Sequence, residues 1–232
     1  MPLMERKDGI PIHGYPWIVR LSRSKTRASG MCGGSLITER HILTAAHCMI
    51  SCVVDGQCRV RYRCERNEVK CSNDTLQWVT LGDYDRRTNN EGEVYLKYDR
   101  FELHPKTHQP NPPRGNFQYD IAIAYLHECV HFTYNIQPVS LPMSDKLTYE
   151  GEIVTVVGWG HLSHRENNNE LAGKHPNILQ YVNIKVFSNV FCKRRQPVFF
   201  SPHDMMCAGD PTNWNKDSCE GDSGGIYQFN PV

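Results

Sequence analysis

No stretch of the 232-residue chain approaches the ~20 consecutive apolar residues of a membrane-crossing helix, so that class of protein is excluded. Net charge is nearly absent too: 26 Lys+Arg offset 25 Asp+Glu to leave +1. So weak a field gives no electrostatic footprint for nucleic acid or an anionic membrane surface, and neither is expected as a partner. None of the cysteines forms the C-x2-C pairs of zinc ribbons and fingers. No window keeps helical i, i+3, i+4 spacing for three turns, and no internal repeat of about 20–50 residues recurs. The opening residues Met1 to Gly14 carry four charges by Asp8 and lack the apolar core of a secretory leader.

Cysteine itself is plentiful, with ten in the chain. That usage points to an oxidising compartment, and a secreted, extracellular protein is expected whose leader is not in this sequence. Short β-branched or aromatic runs bounded by Gly, Pro or Asn predict strands at Trp17 to Leu21, Trp78 to Leu81, Glu93 to Leu96, Ile153 to Val157 and Val182 to Val186. The expectation is an all-β protein, sandwich or barrel. Met49 to Asn73, His104 to Gly115 and His161 to Pro176 read as long surface excursions, their composition being unable to form core.

Three segments hold the residue types of nucleophilic acyl transfer: Thr44-Ala45-Ala46-His47-Cys48, Asp120-Ile121-Ala122-Ile123-Ala124 and Gly221-Asp222-Ser223-Gly224-Gly225. A serine hydroxyl is a poor nucleophile until an imidazole takes its proton, and the imidazole needs a carboxylate to fix its tautomer and stabilise its cation. His47, Asp120 and Ser223 fit those roles, and the flanking glycines allow a tight bend that aims the Gly221 and Ser223 amides at an oxyanion.

With their surroundings these residues resemble the trypsin-like (chymotrypsin-family) serine proteases. The likeness runs in order through Tyr15 to Val19 (YPWIV), Cys32 to Ile37 (CGGSLI), Leu43 to Cys48 (LTAAHC), Leu81 to Asp85 (LGDYD), Tyr119 to Ala124 (YDIAIA), Pro138 to Pro142 (PVSLP), Gly158-Trp159-Gly160 and Asp217 to Gly225 (DSCEGDSGG). It implies two six-stranded antiparallel β-barrels with the active site between them, formed by residues 10–232, and residues 1–9 as the remnant of an activation or pro segment. It implies a serine endopeptidase without cofactor, acting on polypeptide substrates and open to protein protease inhibitors. The order His, Asp, Ser separates it from the α/β hydrolases, where serine comes first.

Further roles follow from the resemblance. Asp217, six residues before Ser223, would form the floor of the specificity pocket, and an acid there favours Arg or Lys before the scissile bond. Cys32 would pair with Cys48, and Cys192 with Cys207. Cys52, Cys58, Cys64 and Cys71 sit in the first excursion, where two bridges allow three connectivities and the spacing suits a four-thiolate metal knot poorly. Cys129 and Cys219 have no family partner in this sequence. Asn73-Asp74-Thr75 is a glycosylation sequon, meaningful in a secreted chain. His161-Leu162-Ser163-His164 offers metal-capable residues on a polar loop without an acid cluster beside them, and no metal site is expected.

The sequence departs from the family pattern in two places. Nine residues follow Ser223, so the closing strands of the second barrel and the C-terminal helix are expected to be missing. Near Glu5-Arg6-Lys7-Asp8-Gly9-Ile10, cleavage after Arg6 or Lys7 would not release the Ile or Val amine that pairs with the acid before the nucleophile, here Asp222. A catalytically silent protease-like binding module, or an incomplete gene-model fragment, is therefore the alternative to the endopeptidase.

Overall fold

The computed structural model describes residues 14–25, 31–52, 58–60, 78–107, 118–143, 148–162, 175–212 and 217–229. In chain order its elements are β1 (Ile18–Ser22), β2 (Met31–Thr38), β3 (His41–Thr44), α1 (Ala46–Met49), β4 (Ile50–Cys52), β5 (Cys58–Val60), β6 (Trp78–Leu81), β7 (Val94–Leu103), β8 (Ala122–Leu126), β9 (Ile153–Gly158), β10 (Gln180–Val186), α2 (Asn189–Arg195), β11 (Ala208–Gly209) and β12 (Tyr227–Phe229). The protein is mostly β, as its strand signals predict.

Six strands close into an antiparallel barrel in the order β1-β2-β3-β8-β7-β6. Closure is possible because β1 pairs on both edges, Val19 opposite Gly34 of β2 and also opposite Leu81 of β6. Period-two alternation fills the interior: on β8, Ala122, Ala124 and Leu126 are buried while Ile123 and Tyr125 are only partly so. They meet Val19, Leu21, Leu36, Ile42, Val79 and Leu81 in one core. A buried ion pair adds polar specificity, Arg20 donating through Nε and Nη2 to Asp83 Oδ2 at 3.2 and 2.9 Å. Burial nevertheless dominates there, and holds the Asp83 carboxyl above its ordinary pKa despite the guanidinium.

The second half is a four-stranded sheet in the order β11-β10-β9-β12. Val154 and Val156 of β9 pack with Val182, Ile184 and Val186 of β10 as its core. A third cluster joins the halves, with Ile18 of β1 against Val157, Trp159 and Leu179. Helix α2 starts on Ser188, whose Oγ accepts from Phe191 N at 3.1 Å, and ends on Lys193, Arg194 and Arg195, cations suited to a helix C-terminus. Its buried Cys192 bridges to Cys207 with a Cα separation of 6.1 Å.

The sequence signals meet the structure unevenly. β6 spans the expected Trp78 to Leu81, whereas the expected Glu93 to Leu96 proves to be the opening of the ten-residue β7. In the first excursion β4 and β5 form a hairpin that sets Cys52 opposite Cys58. Cys64, Cys71 and Asn73 lie outside the described residues.

The barrel core carries a direct prediction. Leu36 has no exposed surface, so Leu36→Ala should cost about 2–5 kcal/mol in urea unfolding. Val190→Ala on the exposed side of α2, where that side chain is 62% exposed, should stay within about 0.5 kcal/mol of the parent.

Candidate active site

His47 lies on α1, just past the end of β3, and Asp120 lies just before β8. Because β3 and β8 pair antiparallel with Thr44 opposite Ala122, the chain leaving one strand and the chain entering the other emerge side by side. The carboxylate then engages His47 twice. His47 Nδ1 stands 2.7 Å from Asp120 Oδ2, and the His47 backbone N–H donates to Oδ1 at 2.8 Å. Two contacts fix both tautomer and ring orientation, leaving Nδ1 as the protonated nitrogen of the neutral ring.

The residue before Asp120 is held under strain that the surroundings pay for. Tyr119 adopts φ 55°, rare for a side chain of that size. Its N–H donates to Asp204 Oδ2 at 3.1 Å, its carbonyl accepts from Thr107 Oγ1 at 2.7 Å, and its ring stacks on His104 with centroids 4.8 Å apart. Behind His47, Cys48 is tied to Cys32 by a disulfide with Cα atoms 6.2 Å apart, which joins α1 to β2.

Ser223 meets the barrel next to Cys48, coming from the second half of the chain. Its carbonyl accepts from Gly33 N at 2.7 Å and lies 3.5 Å from Cys48 Sγ. Gly33 in turn accepts from Thr44 Oγ1 at 2.8 Å, so a single backbone unit of β2 holds both the serine turn and the strand leading to His47. Glycine is required next to the serine. Gly224 has φ +85°, and a Cβ there would fall 2.3 Å from Thr44 Oγ1 and 2.5 Å from Gly33 O.

Asp222 anchors the other side of the turn. It is 5% exposed, with Oδ1 accepting from Gly160 N at 2.7 Å and Oδ2 from Cys219 N at 3.0 Å. The approach is so close that a Cβ on Gly160 would lie 2.3 Å from Oδ2. Burial, only partly offset by these amides, raises its pKa from 3.8 to about 6.

Beside Ser223 a cavity of about 370 Å³ is lined by residues that include Val156, Ser218, Cys219, Gly225 and Tyr227. Asp217, the residue expected at the floor of a specificity pocket, is exposed, with Oδ1 accepting from Ser218 N at 2.8 Å. Its charge still reaches the wall: after burial, the largest cause, Asp217 helps to push the Tyr227 hydroxyl pKa up.

Among the described residues, two clusters have the composition of metal sites. Sulfurs of Cys32 and Cys48 approach His47, but they are spent in the disulfide. Carboxylates of Asp83, Glu91 and Glu93 converge, yet Arg20 sits on Asp83, and Glu91 Oε2 accepts from Tyr84 N and Asp85 N at 2.9 and 3.0 Å.

Over this geometry, the sequence profile of the family described as Trypsin matches residues 6–228. The chain belongs to the trypsin family. Among curated trypsin-family relatives, the venom serine protease Bi-VSP of Bombus ignitus is 33% identical over 222 residues, covering 91% of this chain and 52% of its own length. Serine proteinase stubble of Drosophila melanogaster is 31% identical, covering 92% of this chain and 24% of its own. The chain thus spans about half or less of the length of these relatives. Among solved structures, neuropsin, a serine protease expressed in the limbic system of mouse brain, superposes with a TM-score of 0.70 at 25% identity, covering 95% of this chain and 80% of that one. Among the described residues no helix is long and apolar enough to cross a membrane.

Asp222 gives the trypsin-family turn a pH signature. Its folded pKa of about 6 exceeds the ordinary 3.8, so between those values the native state holds a proton that the unfolded state has lost. Stability from this group is present at low pH and is lost as pH rises through that window, by about 3 kcal/mol in all. Urea unfolding followed against pH should show Asp222→Asn lacking that decline relative to the parent; parallel curves would refute the assignment.

Proposed function

We propose that the chain, through a protease domain of residues 10–232, is a serine endopeptidase that hydrolyses peptide bonds after Arg or Lys. The observation that carries the proposal is the double engagement of His47 by Asp120, at 2.7 and 2.8 Å, beside a serine turn hydrogen-bonded to the barrel through Gly33. In this reading His47 Nε2 takes the Ser223 hydroxyl proton as Oγ attacks the scissile carbonyl, and Asp120 stabilises the imidazolium that results. The tetrahedral oxyanion is met by the Gly221 and Ser223 amides, where prealigned donors act on charge that develops only in the transition state. The proton then passes from His47 to the leaving amine as the C–N bond breaks, leaving an acyl ester on Ser223. Water, deprotonated by the same imidazole, repeats the sequence and releases the acid. No step calls for a cofactor.

The preference for Arg or Lys rests on Asp217, whose charge reaches Tyr227 at the cavity wall and would attract a guanidinium or ammonium entering beside Ser223. The substrates in this reading are polypeptides, protein protease inhibitors compete for the same site, and the setting is extracellular, consistent with the two disulfides among the described residues and with a relative named as a venom protease. Residues 1–9 belong to an activation or pro segment. The exposure of Asp217 favours one alternative, a catalytically silent binding module.

Hydrolysis of an arginine ester distinguishes the two. Ser223→Ala and His47→Ala should each lower kcat by about 10³-fold or more. Asp217→Ser should reduce kcat/KM for arginine substrates by about 10–100-fold, the worth of a charge-assisted hydrogen bond, with little change for an apolar residue at that position. A parent chain with no turnover supports the silent module instead, and turnover that survives Ser223→Ala overturns Ser223 as the nucleophile.

A further inference from the structure

Asp204 has no part in the chemical steps proposed above, yet its carboxylate reaches the residue next to Asp120. It lies in the second half of the chain, between α2 and β11, and its Oδ2 accepts from Tyr119 N at 3.1 Å. The two residues are 85 positions apart in sequence, so only the fold brings them together.

The bond does more than join the halves. Tyr119 has φ 55°, a conformation that a bulky side chain keeps only where its surroundings over-determine it. Relaxing φ toward ordinary negative values would swing the Tyr119 N–H relative to its carbonyl, so an anchor at each end of the residue holds the angle. Thr107 Oγ1 grips the carbonyl from the barrel side, at 2.7 Å, and Asp204 grips the amide from the other half. Asp120 follows as the middle residue of a three-residue turn, with Ile121 N donating to Tyr119 O at 2.8 Å. The direction of the Asp120 side chain therefore follows the orientation of the Tyr119 peptide units. Asp204 itself has a firm base. Met205 N donates to Ser201 O at 2.9 Å across its turn, Met206 packs against the core of β9 and β10, and Cys207 is bridged to Cys192 of α2. A carboxylate so backed is a fixed, charge-assisted acceptor for a backbone amide.

We propose that Asp204 is a positioning residue for the His47–Asp120 pair: by holding the Tyr119 amide it keeps the left-handed backbone that aims Asp120 at His47 Nδ1 and at the His47 backbone N–H. It touches neither His47 nor the reacting atoms and acts through Tyr119 alone. Its effect on rate rests on the hydrolytic reading above, whereas its effect on the pair does not.

Proton NMR of the isotope-labelled full chain tests this without substrate. The proton between His47 Nδ1 and Asp120 Oδ2, in a hydrogen bond of 2.7 Å, should resonate far downfield of ordinary ring N–H signals in the parent. Asp204→Ala, and Asp204→Leu of similar size but without an acceptor, should each remove that resonance or speed its exchange with water at least about tenfold. Asp204→Asn keeps a carbonyl acceptor and loses the charge, so it should retain the resonance, which separates loss of the anchor from loss of the field. His203→Ala, on the exposed neighbour in the same turn, should match the parent. In arginine-ester hydrolysis Asp204→Ala should lower kcat by about 10–100-fold with KM within about twofold, and Asp204→Asn should recover most of that loss. Circular dichroism verifies that each variant folds. A parent lacking the resonance, an unchanged resonance in the folded Ala or Leu variant, or equal losses in the Ala and Asn variants would each overturn the proposal. A parent that shows the resonance but no turnover retires the hydrolytic reading alone, and the resonance then decides the role of Asp204.

Discussion

A carboxylate with almost no water around it must find donors, and the way Asp222 finds them organises the serine turn. Its two oxygens take the amides of Gly160 and Cys219, which belong respectively to the segment after β9 and to the start of the turn itself. The turn is thereby stitched to the second sheet. Its carbonyls do the rest: Asp222 O accepts from Gly225 N and Ser223 O from Gly33 N, the latter crossing to the barrel. The charge is poorly compensated, as its raised pKa shows, and neutral amides alone do not cancel the cost of burying it.

The histidine side of the site depends on strand pairing. Slipping β8 by one residue against β3 would turn its buried Ala122, Ala124 and Leu126 outward and displace Asp120 from His47 in the same movement. Core packing and placement of the His47–Asp120 pair are therefore enforced by one register. The trypsin-family site owes its geometry to the most buried part of the molecule, although its own side chains are partly exposed.

Local chemistry made part of this legible in the sequence. His47, Asp120 and Ser223 stand in distinctive segments, and the β-branched runs mark β6, β9 and β10. The length of β7 was hidden because Lys97, Asp99, Arg100 and Glu102 face outward along it, and charges of that density read as loop. β2 was masked by Gly33 and Gly34, residues unfavourable in strands, of which Gly33 is needed where the serine turn presses on the barrel. Asp217 shows another limit: spacing from Ser223 places it along the chain but says nothing of its exposure.

All five residues of β1 are buried. Val19 and Leu21 belong to the barrel core, while Ile18 lies among Val157, Trp159 and Leu179 at the junction with the second half. Both backbone edges are also paired, one with β2 and the other with β6. Such a strand offers no face or edge from which to peel, so its amides can exchange with solvent hydrogen only when the barrel opens as a whole. Loosening confined to the serine turn need not touch it, and motion at the site can coexist with a slowly exchanging girdle directly beneath.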